Sequence, residues 1–175
     1  MREISLNILD LAQNSIKIEA SLIKIDVKVS KNENIIEFII EDNGSGMTDE
    51  QVEMVTDPFF TSRTERKVGL GIPFCKLACE QAGGSFSVKS EKDVGTVVHA
   101  TFTYDHIDRQ PMGDLSSTML FVMTASEKSD VVFNYKSDDD ELSLDTREIK
   151  EVLQGVPLTE PDVMEFLKEN LATCN

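Results

Sequence analysis

Helical and strand-like periodicities share this chain, and they predict a mixed α/β (α+β) fold. Three observations carry the prediction. Apolar residues recur at helical spacing in Ile4–Ala20, where Leu6 and Ile8 blur the period, and again at Leu115, Met119, Val122 and Met123. Two strictly alternating segments, L-I-K-I-D-V-K-V and N-I-I-E-F-I-I-E, follow one another across the polar turn K-N-E-N. Glycine-rich turns stand where a strand ends (Gly44, Gly46) and where a helix begins (Gly69, Gly71).

Taken in order, a first helix is expected over Ser5–Ala20. Strands Leu22–Val29 and Asn34–Glu41 come next, the first with Lys24, Asp26 and Lys28 on its wet face. T-D-E-Q-V-E-M-V reads as a short helix capped by Thr48, with Gln51 three residues on. Asp57–Val68 is polar, basic and without period, so it reads as a loop. The following helix has Pro73 in its first turn and Gly83-Gly84 at its end. S-F-S-V-K-S and T-V-V-H-A-T-F-T-Y form a second strand pair. Beyond a connector, L-S-S-T-M-L-F-V-M-T-A reads as a helix capped by Asp114, or as a strand because F-V-M-T is β-friendly; a hairpin, Asp130–Asp145, follows. A short helix ended by Gly155 and a last helix capped by Thr159 or Glu160 complete the chain.

The 175 residues suffice for one sizeable core or a domain with an appendage. No run of about 20 apolar residues exists to cross a membrane. Acidic Glu3 and Asp10 near the start are unlike a secretory leader, so a cytoplasmic location is expected. The formal net charge is −15: residues 1–105 contribute −6 and residues 106–175 contribute −9. Such a balance disfavours nucleic acid and anionic membranes as partners. It also suggests two parts, 1–105 and an acidic extension 106–175 containing a helix, a β-hairpin and two helices. The three cysteines include no C-x-x-C, and Cys75 and Cys79 on one helix face read as core residues, with a redox pair as the alternative.

E-D-N-G-S-G-M (Glu41–Met47) places a carboxylate and two glycines at a strand end. Ionised Asp42 can only accept hydrogen bonds, which suits the exocyclic amine of adenine. Gly44 and Gly46 permit positive φ and leave room for a flat base. Gly69-Leu70-Gly71 opens a helix, where backbone N–H groups can cradle phosphate. Between the glycine pairs lie Arg63, Arg66 and Lys67, in a loop able to close over phosphates. On the first helix Asp10, Asn14 and Lys17 lie near one face. Asn14 offers a neutral oxygen for Mg²⁺, Lys17 a charge for phosphate, and Asp10 a proton acceptor for an attacking hydroxyl or water. Alone, these three residues describe the wet side of an amphipathic helix; the glycine motifs favour the functional reading.

Together D-L-A-Q-N-S-I-K, E-D-N-G-S-G-M, D-P-F-F-T-S-R, G-L-G-I and G-T-V-V-H-A-T-F resemble the GHKL ATP-binding domain over Met1–Tyr104. DNA gyrase B, heat-shock chaperone ATPases, sensor histidine kinases and mismatch-repair MutL proteins share that domain. The sharper likeness is to sensor histidine kinases and anti-sigma-factor kinases, whose N-A-x-K and F-F-T-T-K resemble N-S-I-K and F-F-T-S-R. The resemblance implies a Bergerat-type two-layer sandwich, with helices on one face of a mixed sheet, that binds ATP and Mg²⁺. It implies that Asn14 holds Mg²⁺ and Lys17 touches phosphate. Asp42 would bind the adenine amine, in a pocket shaped by Gly44, Gly46 and Met47 and supported by Thr96. Phe59 and Phe60 would hinge or anchor the lid, Arg63 would approach the outer phosphates, and Gly69, Leu70 and Gly71 would cradle phosphate. Lys67 replaces a family glycine and either stiffens the lid or contacts phosphate. Asp10 falls where hydrolytic members carry a glutamate base.

The departures narrow the expected function. His99 and His106 are the only histidines, and neither lies in the H-E-x-R-x-P context of a phosphoacceptor. No helical hairpin precedes the first motif, so a self-contained sensor kinase is not expected. The hairpin Asp130–Asp145 is expected to pack on or extend the main sheet in place of the family's N-terminal elements. The leading expectation is a Mg·ATP-binding, histidine kinase-like regulator that phosphorylates or switches a protein partner. The alternatives are an ATPase whose cycle drives homodimerisation, and a non-catalytic module that senses adenine nucleotide.

Overall fold

Alternation places every second residue of Leu22–Ser30 on one side, and that side is buried: Ile23, Ile25 and Val27 are closed to solvent. The computed structural model describes residues 2–57 and 70–175. In chain order the elements are α1 (Ile4–Lys17), β1 (Leu22–Ser30), β2 (Ile35–Asp42), α2 (Asp49–Thr56), α3 (Gly71–Gln81), β3 (Phe86–Glu91) and β4 (Gly95–Thr103). There follow α4 (Leu115–Thr124), β5 (Asp130–Ser137), β6 (Glu141–Asp145), α5 (Thr146–Leu153), α6 (Pro161–Leu171) and a single 3₁₀ turn, Ala172–Cys174.

The six strands form one sheet in the order β3-β4-β2-β1-β5-β6. All neighbours are antiparallel except β1 and β5, which run parallel from Leu22 opposite Asp130 to Val29 opposite Ser137. The hairpin Asp130–Asp145 therefore extends the sheet beyond β1. Ile36, Phe38 and Ile40 of β2, Val98, Ala100 and Phe102 of β4, and Val131, Phe133 and Tyr135 of β5 continue the buried face begun by β1. Ile4, Ile8, Leu11 and Ala12 of α1 close over it, with Cys75 and Cys79 of α3, Met119 and Met123 of α4, and Leu167 and Leu171 of α6. The result is a two-layer α/β sandwich around one core. Both α3 thiols are fully buried core groups; a hydrogen bond with Cys79 and then burial push the Cys75 thiol up.

Local signals explain most boundaries. Thr48 and Gln51 form a reciprocal capping box at α2, and Asp114 accepts from the Ser117 amide at α4. Two helix ends differ from expectation. α1 stops at Lys17 rather than Ala20, because Glu19 turns left-handed at φ 55 and Ala20 is drawn into the core. α5 is ended by Gln154, at φ 50, one residue ahead of Gly155. At α6 the cap is Glu160, whose side chain makes no capping bond.

Candidate functional site

Asp42 is the last residue of β2 and shares the inward phase of Phe38 and Ile40, so its half-buried carboxylate faces the helix layer. Ser15 of α1 donates its hydroxyl to Asp42 Oδ2 at 2.6 Å, and the Gly44 amide donates to Oδ1 at 2.9 Å. A carboxylate has about four acceptor positions, so the group is oriented yet can still accept from a ligand. Thr96 stands opposite Asp42 on β4. Its Oγ1 lies 2.8 Å from Ser90 Oγ, and Ser90 also accepts from the Met47 amide at 2.8 Å. Ser90 gives its one proton to the Gly95 carbonyl at 2.9 Å, so Thr96 is the donor in its pair with Ser90 and keeps its lone pairs available.

The two glycines of this turn serve different purposes. Gly46 sits at φ +63, and a Cβ there would lie 1.9 Å from the Glu91 carbonyl oxygen. Gly44, contrary to expectation, does not adopt positive φ. A Cβ there would meet the end of the Ile18 side chain at 2.4 Å, so Ile18 would have to move aside.

On α1, Asp10 and Asn14 are half-buried and Lys17 is exposed at the last helical residue. The Asn14 amide makes no hydrogen bond among the described residues, so its oxygen is free to meet a hard cation. Asp10 is ion-paired with Arg2, whose guanidinium also lies 5.6 Å from the Phe74 ring centroid of α3. Gly71, the first residue of α3, packs so close that a Cβ would stand 3.2 Å from Asp10 Cβ. The start of α3, with Leu70 at its cap, thus lies directly against the polar side of α1. No group of three or more His, Cys, Asp or Glu is placed to hold a metal among the described residues. Among the described residues Asn14 would supply one neutral oxygen to Mg²⁺, a ligand type that suits a hard cation.

A cavity of about 620 Å³ opens along the helix-free side and rim of the sheet, lined by Lys24, Asp42, Asn43, Thr96 and Val97 among others. Neither Asp10 nor Asn14 lines it, so it reaches the Asp42–Thr96 end of the site from behind. Phe59, Phe60, Arg63, Lys67 and Gly69 lie outside the described residues.

Three contributors escaped the sequence reading. Ser15 and Ser90 hold the two halves of the Asp42 pocket, and Arg2 holds Asp10. Ser15 carried a weak signal as the neighbour of Asn14 in N-S-I-K. Nothing local marked Ser90 or Arg2.

Residues 2–106 match the model of the histidine kinase-, DNA gyrase B- and HSP90-like ATPase family. The chain belongs to that family. It is a GHKL-type ATP-binding module with a Bergerat-type sandwich fold. Among curated proteins it is similar to a putative sensor protein of Shewanella frigidimarina (strain NCIMB 400), 30% identical over 58% of this chain and 15% of that protein. It is likewise similar to sporulation kinase E of Bacillus subtilis (strain 168), 29% identical over 58% of this chain and 13% of that protein. The chain thus spans a small part of these relatives' length. Among solved structures, the N-terminal domain of a DNA repair protein superposes with a TM-score of 0.52 at 15% identity, over 82% of this chain and 53% of that one. This last likeness is one of fold. Among the described residues, no helix is long and apolar enough to cross a membrane.

Proposed function

We propose that this GHKL module is a Mg·ATP-dependent switch that phosphorylates or remodels a protein partner. The observation that supports it best is the double use of α1. Ser15 orients the Asp42 carboxylate toward an adenine site, while its neighbour Asn14 presents for Mg²⁺ an amide oxygen that no described residue engages. In this reading one helix ties the base-reading end of the site to its phosphate end. In this reading Asp42, Gly44, Gly46, Met47 and Thr96 form the base pocket. Lys17, Leu70 and Gly71 receive the phosphates, with Phe60, Arg63, Lys67 and Gly69 contributed by the segment between α2 and α3. Phosphoryl transfer on such a site is mostly positioning and charge stabilisation. The γ-phosphoryl group would pass to a nucleophile on the partner, leaving ADP. Residues 1–105 would be the nucleotide part and residues 106–175 the partner-specific part. The kinase reading draws on the kinase named among the relatives.

A second reading, hydrolysis coupled to homodimerisation, is favoured by the position of Asp10 against the first residue of α3. There Asp10 would accept the proton of an attacking water, provided that Arg2 releases it. Nucleotide fate separates the readings. The pure protein is incubated with Mg·ATP, and bound ATP, released ADP and protein-bound phosphate are quantified, with Asp10→Asn alongside. Tight binding without turnover until a partner is added is expected for the switch. Steady ADP release abolished by Asp10→Asn would replace it with the hydrolytic reading. No ATP binding at all would sink both.

A further inference from the structure

α5 is amphipathic, with Ile149, Val152 and Leu153 along one side; Ile149 and Leu153 are partly buried against the core, while Val152 is left outside it. An amphipathic helix ordinarily turns its apolar side into a core. Here Val152 is 82% exposed. Across from it Phe166 of α6 is 52% exposed, next to Val163, and the two helices frame a groove of about 430 Å³. The groove is walled almost entirely by aliphatic and aromatic side chains. Among the described residues its polar lining is acidic, Glu148 and Asp162. The two cations of α5 are already engaged, Arg147 by Asp145 and Lys150 by Asp130. Contiguous exposed apolar surface of this kind marks an interaction site.

Charge selects the occupant. Residues 106–175 carry a net −9, so an approaching surface must be apolar in the middle and cationic at its margins. A second copy of the chain would bring Glu148 and Asp162 against themselves, and an anionic lipid surface would be repelled. The space between two helices suits a third helix laid along it, read through residues at i, i+3 or i+4, and i+7.

We propose that the α5–α6 groove is the docking site for a basic amphipathic helix of a partner protein. The assignment rests on the reading above only in treating residues 106–175 as the partner-specific part. Docking needs no nucleotide, so it can be tested independently of ATP binding.

The test uses the full chain and a fluorescein-labelled synthetic helix with leucines at i, i+4, i+7 and i+11 and lysines on its flanks. Fluorescence anisotropy is recorded with and without Mg·ATP. Controls are a scrambled peptide of equal composition and a version with glutamate for lysine. The designed helix should bind, both controls should bind much more weakly, and Val152→Asp should weaken binding by roughly tenfold or more. ATP affinity should be unchanged in that variant, which reports on the nucleotide reading separately. Val152 is so exposed that aspartate there should leave the fold intact, which thermal melting checks; Phe166→Asp repeats the test on α6. Equal binding of the scrambled peptide, or of the designed peptide to Val152→Asp, would reduce the effect to bulk charge and overturn the proposal. Concentration-dependent dimerisation lost in Val152→Asp would assign the groove to a second copy instead. Flotation with phosphatidylcholine–phosphatidylserine vesicles lost in the same variant would assign it to lipid.

Discussion

Asp42 is aimed before any ligand arrives. Ser15 and the Gly44 amide hold its two oxygens in place, so binding need not pay to orient them. Asp42→Asn replaces a charged acceptor by a neutral amide, and should weaken ATP binding by about 2 kcal/mol. Calorimetric titration checks this, and unchanged affinity would remove adenine from this end of the site. Ser15→Ala leaves the carboxylate its charge and removes only its orientation. Its loss should be smaller, on the order of 1 kcal/mol, and additive with nothing once Asp42 is gone. The sequence shows Asp42 plainly, because a carboxylate and two glycines at a strand end are local chemistry. Ser15 lies 27 residues away and reaches Asp42 only because α1 packs over β2. Such a partner is invisible to spacing. Of the two reasons the sequence offered for Gly44, positive φ does not apply, while the crowding by the Ile18 side chain is brought there by the fold.

Helix starts were legible, and so was the stop of α3 at Gly83, which turns left-handed at φ 67; the stops of α1 and α5 were not. Thr48 with Gln51, and Asp114, are capping residues that act within one turn of themselves. The left-handed residues that end α1 and α5 are Glu19 and Gln154, whose type gives no such signal. The stop of α1 is set from afar: the Ala20 carbonyl accepts from Ser129 Oγ, 109 residues away. The Asp114 cap has a measurable pH signature. Bonds from the Ser117 hydroxyl, then the Ser117 amide and Asn175, hold its carboxyl near 2 against an ordinary 3.8. A depressed carboxyl contributes stability that is complete above its unfolded value and disappears as pH falls through its folded one. Asp114 should therefore support α4 fully above pH 3.8 and progressively less down to about 2. In Asp114→Asn the fall in stability across that window should be shallower, while stability at neutral pH changes little because asparagine also caps well. Urea unfolding at stepped pH reads the difference. Some slope will remain, since Asp138 and Asp145 are depressed by their own bonds, first from Ser30 and from Arg147 respectively.

At the scale of the whole molecule the acidic C-terminal stretch and the nucleotide motifs share one sheet and one core. Phe133 of β5 is fully buried in that core with Phe38 and Phe102. Phe133→Ala should cost about 3–5 kcal/mol, and calorimetry should show one transition shifted down rather than a separate early melt of the C-terminal part. Removal of residues 106–175 should lower the melting temperature of the nucleotide motifs; an unchanged melt would refute their dependence on β5. The hairpin and its joining of the sheet were expected from sequence. Its parallel register on β1 was not, because alternation names a strand's faces and not its neighbour. That register also sets an order of events. Until Asp130–Ser137 has been synthesised, β1 has a partner on only one side and exposes a full row of unpaired amides and carbonyls on the other. The growing chain must keep that edge from other strands while some hundred further residues emerge, and sequence-distant pairings of this kind close slowly. Production of the chain should therefore be most vulnerable to aggregation during synthesis and refolding, not once the sheet has closed.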